Sequence, residues 1–202
     1  HEKPSKDPLF GKRAGGEDEK IIPLPDRSKP AGPDEAAEAP EGPVPEGATS
    51  GDASPAGLTQ IKLADKSFDE AEFLGGARGA FEMVIAAFAD GDTKALRPLL
   101  SNDVFDDFAG AIAERKEAEQ TLETTLVGFT SVDLIDAEVQ GRTAFVTVKF
   151  VTEQINVLRD KDGTVVDGDS SHVTSITDIW TFARNTRSRD PNWTLVATQS
   201  AN

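Results

Sequence analysis

Between Ser67 and Asp92 the apolar residues Phe73, Leu74, Ala77, Phe81, Val84, Ile85 and Phe88 recur in steps of three and four. That spacing lines one face of a helix and predicts the longest helix of the chain. Ser67 and Glu70 fit a capping box at its start, and Gly91 suits a left-handed C-cap at its end. Asp92 can cap a short second helix over 93–100, with Leu96, Leu99 and Leu100 inward and Pro98 either kinking it or lying in its first turns. Ser101 or Asn102 can cap a third helix running to about Gln120. Its apolar face is Val104, Phe105, Phe108, Ala111 and Ile112, and its later turns, 114–117, are polar and expected to be solvated.

From Thr121 the period changes to two, with Thr, Val, Ile and Phe between turn residues, which predicts strands. Four are expected, over 122–138 with a bulge near Gly128, 142–158, 171–184 and 192–198. In the second, Ala144, Val146, Val148 and Phe150 share one face; the third carries Val173, Ile176, Ile179, Trp180 and Phe182. Residues 159–170 read as a polar hairpin loop. Residues 57–66 read as a lead-in with Leu58, Ile61 and Leu63 as anchors. Three helices followed by four antiparallel strands make an α+β class. Helices gathered on one face of a curved meander give a cone with an internal pocket, the shape of the nuclear-transport-factor-2-like superfold. That likeness is topological and implies no function.

The first 57 residues break both periods. They hold ten of the twelve prolines and eight of the seventeen glycines, with Phe10 as their only aromatic. Too little apolar surface is present to offset the entropy of ordering, so 1–57 is expected to be a disordered linker and 58–202 the folded domain. Within the linker, Lys3, Lys6, Lys12, Arg13, Lys20, Arg27 and Lys29 surround Leu9–Phe10 and Ile21-Ile22-Pro23-Leu24. Ordinary linker explains these residues, since Glu17, Asp18 and Glu19 dilute the charge. The other reading is a short docking motif, or a juxtamembrane stretch touching anionic lipid.

Charge and composition remove several functions. With 36 acidic against 21 basic residues the net charge is −15, which opposes nucleic-acid phosphates, so no nucleic-acid partner is expected. The absence of cysteine removes disulfides and thiolate chemistry, and two histidines, His1 and His172, are too few for a His-rich metal site. No run approaches the roughly 18 apolar residues that span a bilayer. The chain starts at His1, so its natural start, and with it an anchor, is expected to be missing. Neither metal nor cofactor is expected. Asp160-Lys161-Asp162-Gly163 with Asp167-Gly168-Asp169 resembles a calcium loop in outline, but Thr164 and Ser171 fill the positions that need oxygen donors of a different kind, and turn chemistry is the simpler explanation. His172 has no triad spacing around it and reads as a structural strand residue.

Phe73-Leu74-Gly75-Gly76-Ala77-Arg78-Gly79-Ala80-Phe81-Glu82, the runs AFADGD at 87–92 and LRPLLS at 96–101, and the closing runs TDIWTFAR at 177–184 and SRDPNW at 188–193 resemble the Tim44-like domain family over roughly 66–199. The resemblance implies an α+β domain with a large apolar pocket and a role at a membrane. It implies a bacterial protein anchored through an N-terminal helix at the cytoplasmic face of the inner membrane, with protein partners there. The family's mitochondrial import-motor scaffold engages a chaperone through a long upstream segment, which this chain is expected to lack, so chaperone recruitment is not carried over.

Three sets of residues are candidate sites. Gly75, Gly76, Gly79 and Ala80 form a small-residue stripe, explained either by packing of the helix on the sheet or by close approach of a partner; interior helical glycines cost about 0.5–1 kcal/mol each, so they need a reason. Phe81, Val84, Ile85, Phe88, Leu96, Leu100, Phe108, Val148 and Phe150 are the expected pocket wall. Arg184, Arg187 and Arg189 with Trp180 and Trp193 are the basic-aromatic concentration, suited either to lipid phosphate or an acidic partner, or to local pairing with Asp178 and Asp190. No catalytic residue is assigned. The expected function is a non-enzymatic adaptor or scaffold that binds protein partners, and anionic lipid or another apolar group, in protein translocation or membrane-complex assembly. The alternative is a small-molecule-binding or isomerase/lyase domain on the same cone. The chain has no tyrosine for a ketosteroid-isomerase-type oxyanion hole, so such an enzyme would use a carboxylate such as Asp178 or Glu153.

Overall fold

A computed structural model describes residues 24–26 and 55–201. The linker expected over 1–57 otherwise lies outside the described residues. Four helices precede five strands: α1 Pro55–Ala64, α2 Glu70–Asp90, α3 Thr93–Leu96, α4 Asn102–Glu117, β1 Thr121–Gln140, β2 Thr143–Arg159, β3 Val165–Gly168, β4 Thr174–Asn185 and β5 Thr194–Ala201. The sheet is antiparallel in the order β1-β2-β4-β5, and β3 pairs the end of β2 that β4 leaves free. This is the expected α+β class, an open antiparallel sheet consistent with a nuclear-transport-factor-2-like cone, with one helix and one strand more than the periodicity predicts.

The extra helix is the expected lead-in. Ile61 is fully buried, but Leu63 is exposed. Gly57 lets α1 press onto β1: a Cβ there would lie 1.8 Å from the Ala137 carbonyl oxygen. The extra strand, β3, reads Val-Val-Asp-Gly and is largely exposed, and four residues are too short a run to show a hydrophobic alternation.

Helix α2 starts later than the expected capping box. Asp69, not Ser67, is the N-cap, accepting the Glu72 amide at 2.8 Å. Ser67 instead donates its amide and hydroxyl to Asp65. At the other end Gly91 takes φ 69° and closes the helix on Ala87 and Phe88. Helix α3 stops at Leu96, so Pro98 lies beyond it. The last turn of α4 is not simply solvated: the Arg115 guanidinium donates to the Phe88 and Ala89 carbonyls, at 2.6 and 2.9 Å, and lies over the Phe88 ring. A cation on the carbonyl end of α2 satisfies acceptors that the helix itself leaves open.

Three register shifts in β1, at Leu126/Gly128, Phe129/Ser131 and Leu134/Asp136, bend the longest strand so that the sheet wraps α2. Phe81 is the centre of that embrace. Its ring lies 4.6 Å from both Phe150 and Trp180 and 5.7 Å from Phe129. The aromatic layer joins α2 to three strands, β1, β2 and β4.

The helical glycines behave differently from Gly57. A Cβ at Gly75, Gly76 or Gly79 would meet nothing within 4 Å. Alanine at Gly79 is expected to stabilise the domain by about 1 kcal/mol through helix propensity. Alanine at Gly57 should cost at least about 1 kcal/mol, because main chain must move. Urea unfolding of the two variants reads both signs.

Candidate functional site

The open groove of the domain runs along the N-terminal half of α2 and is closed by the β4–β5 connection. Its volume is about 540 Å³, and its walls include Phe68, Phe73, Gly76, Ala77, Ala80, Met83, Pro98, Leu99, Phe182 and Trp193. The sequence places these residues for simple reasons. Positions 73, 77 and 80 fall on one face of α2, and Pro191 ends the connection so that Trp193 enters beside β5. Trp193 packs edge-on against Phe73 at 4.9 Å and Phe68 at 6.0 Å, and Phe73 packs edge-on against Phe182 at 5.9 Å. Such tilted pairs hold the wall rigid beyond what area burial gives. Met83 is half exposed at the rim, and a thioether adapts its shape to what it touches.

The small-residue stripe divides here. Gly76 and Ala80 line the groove, while Gly75 and Gly79 do not. None of the three glycines meets the sheet through its missing Cβ, so helix-on-sheet packing does not account for them.

The nine residues expected as pocket wall are otherwise employed. Phe81, Val84, Ile85, Phe88, Leu96, Leu100, Phe108, Val148 and Phe150 are all buried in the hydrophobic core, and none lines this groove. Periodicity identifies a buried face but cannot tell packed core from pocket lining.

The basic-aromatic cluster also separates. Trp180 is fully buried, which removes it from any surface contact. Arg184 is held by Asp65 and donates to the Ser188 and Asp190 carbonyls, so it braces the connection against α1's exit. Burial alone would push the Asp65 carboxyl up, but the two Ser67 donors and Arg184 outweigh it and hold it below the usual carboxylate range. Arg187 and Arg189 are exposed on the connection. With Arg184 spent on Asp65, the remaining groove rim is acidic, carrying Asp69 and Glu72.

The two carboxylates considered for catalysis lie apart. Glu153 is exposed. Asp178 is 2 % exposed on the core face of β4, in the alternation Ile176, Asp178, Trp180, Phe182, and that alternation is the sequence signal that finds it. It pairs across the sheet with Phe150 on one side and Ser200 on the other, whose hydroxyl donates to it at 2.9 Å. Burial raises its pKa to about 6, and the Ser200 bond only partly opposes that. It does not line the groove. Among the described residues no cluster of three metal-binding side chains occurs. The Asp160 carboxylate is spent on the amides of Asp162 and Thr164, and Asp169 on Ser171.

The fold and groove define an α+β domain with an apolar, acid-rimmed groove. The sequence model of the Tim44-like domain family matches residues 54–200, and the chain belongs to that family. It is similar to the probable mitochondrial import inner membrane translocase subunit tin-44 of Caenorhabditis elegans, 22% identical over 136 residues, which are 66% of this chain and 32% of that protein. It is likewise similar to the mitochondrial import inner membrane translocase subunit TIM44 of Rattus norvegicus, 22% identical over 135 residues, 66% of this chain and 30% of that protein. The chain thus spans about a third of the length of the curated relatives it matches. Among solved structures, the intermembrane space region of chloroplast protein ARC6 superposes with a TM-score of 0.44 and 17% identity, covering 62% of this chain and 93% of that one. No helix among the described residues is long and apolar enough to cross a membrane.

Asp178 gives a signed pH dependence. Its folded pKa lies above the unfolded value of 3.8, so its contribution favours folding below pH 3.8 and is lost as pH rises through about 6. Replacing Asp178 with Asn keeps an acceptor for Ser200 and removes the buried charge. The variant is expected to be more stable than the parent at pH 7.5 by up to about 3 kcal/mol, with the gain vanishing near pH 3.5. Denaturant titrations at the two pH values check it.

Proposed function

We propose that this domain is a non-enzymatic adaptor that holds an apolar segment of a protein partner in the groove beside α2, within a membrane-associated assembly. The observation that carries the reading is the meeting of Phe68, Phe73 and Trp193 with the Cβ-less surface of Gly76. Aromatic walls anchor a partner side chain, and small residues let its backbone approach closely. The acidic rim of Asp69 and Glu72 favours a partner segment with basic flanks. Family membership, and the naming of the relatives as translocase subunits, supports a place in protein translocation or in assembly of a membrane complex. The site of action in this reading is the cytoplasmic face of a bacterial inner membrane. Arg187 and Arg189 would meet anionic headgroups there, since guanidinium forks match phosphate.

The second reading, a small-molecule-binding or isomerase/lyase domain, has one observation in its favour, the buried Asp178. No second buried carboxylate accompanies it among the described residues, and paired acid-base chemistry needs one or a substitute.

A photo-crosslinking residue in place of Met83, in native membranes, tests the adaptor reading. Crosslinks to protein are expected, and Gly76→Leu should abolish them while leaving the unfolding midpoint intact. The same crosslinks in the Gly76→Leu protein would remove the groove from the interaction. For lipid, flotation with anionic vesicles should weaken at least about threefold in Arg187→Ala/Arg189→Ala, with Arg184 left in place to preserve the fold; equal flotation would rule out the headgroup contact.

A further inference from the structure

Residues 24–26 are far from the domain in sequence, yet they rest on it. Leu24 is half-buried and packs against the hydrophobic core, and the Thr198 hydroxyl donates to the Pro25 carbonyl at 2.6 Å. Thr198 is 2 % exposed and lies directly across from Trp180, so both side chains stand on the core face of the sheet. The Trp180 indole N–H, fully buried in that same cross-strand pair, has no acceptor among the described residues. A buried donor without an acceptor is costly, and Leu24–Pro25 as seated gives the Pro25 carbonyl to Thr198 and not to Trp180.

The segment suits such a place. Leu24 stands between Pro23 and Pro25. A residue before proline is held in extended conformations, so little entropy is lost on docking. Pro25 has no N–H to satisfy, and its carbonyl is the one main-chain group that needs a partner. Thr198 supplies it.

We infer that the core-facing side of β5 at Thr198 is a docking site for an extended Leu-Pro segment, that the chain's own Leu24–Pro25 fills it, and that a partner segment of the same apolar-proline chemistry must displace it to bind. The occupant in cis competes at an effective concentration set by the connecting chain, and this lowers the apparent affinity of any competitor. The inference is independent of the groove beside α2, which Thr198 and Leu24 do not line.

The test uses the full chain and a fluorescent peptide copying residues 21–27, followed by anisotropy. Leu24→Asp, and Leu24→Ser as a milder change, should bind the peptide about tenfold more tightly than the parent, because the site is vacated. Adding Thr198→Val to either should weaken that binding by about threefold or more, and Thr198→Ser should restore it. The Trp180 indole proton resonance should shift on peptide addition in the vacated proteins and report that they are folded. Equal affinity for parent and Leu24 variants, no binding to any of them, or insensitivity to Thr198→Val overturns the inference. A parent protein that dimerises with concentration, and whose dimer is lost in Leu24→Asp, would place the segment of a second copy at Thr198 and overturn occupation in cis.

Discussion

The structure depends on one contact layer, Phe81 of α2 against Phe150 and Trp180. Both rings lie 4.6 Å from Phe81, and all three side chains are fully buried. A curved sheet has only one wide apolar face to bury, and a single long helix must cover it. Bulges in β1 supply the curvature, Phe81 supplies the fulcrum, and Arg115 with Gly91 fixes the helix's far end. Removing any of these would leave the concave face partly open to water.

That arrangement divides α2 into two halves with different duties. From Phe81 onward its inward residues are core. Before Phe81 the helix still buries Phe73 and Ala77 against the core, but its three glycines face open space instead of strands. Three glycines weaken a helix that has no internal need of them, and one of them, Gly76, lines the groove with Phe73 and Trp193. The Asp65–Arg184 pair performs the complementary task. It ties the exit of α1 to the β4–β5 connection and keeps the groove wall from drifting.

Much of the fold was legible in the sequence because the determining forces are periodic. The three-and-four spacing located α2 and α4, and the alternation of Ala144, Val146, Val148 and Phe150 located β2 and its buried face. Elements held by few apolar residues escaped. Helix α1 rests on a close approach at Gly57, and β3 is held by main-chain bonds to β2. The cap of α2 moved from Ser67 to Asp69 because Asp65 captured the serine, a competition between neighbours that a local motif does not register.

The candidate sites were less legible, since a site is made by residues distant in the chain. Leu24–Pro25 read as ordinary linker, with a docking motif as the other choice, and only the fold brings Thr198 to meet it. The arginine cluster looked continuous in the sequence, yet strand alternation buries Trp180, and Asp65 claims Arg184 from 119 residues away. The sequence by itself determined the class of fold, the buried faces and the exclusion of thiol chemistry, because period and composition are properties of the chain. The tertiary structure alone decided which buried residues are solid core, which small residues line a groove and which charges are spent, because those follow from what stands opposite each side chain.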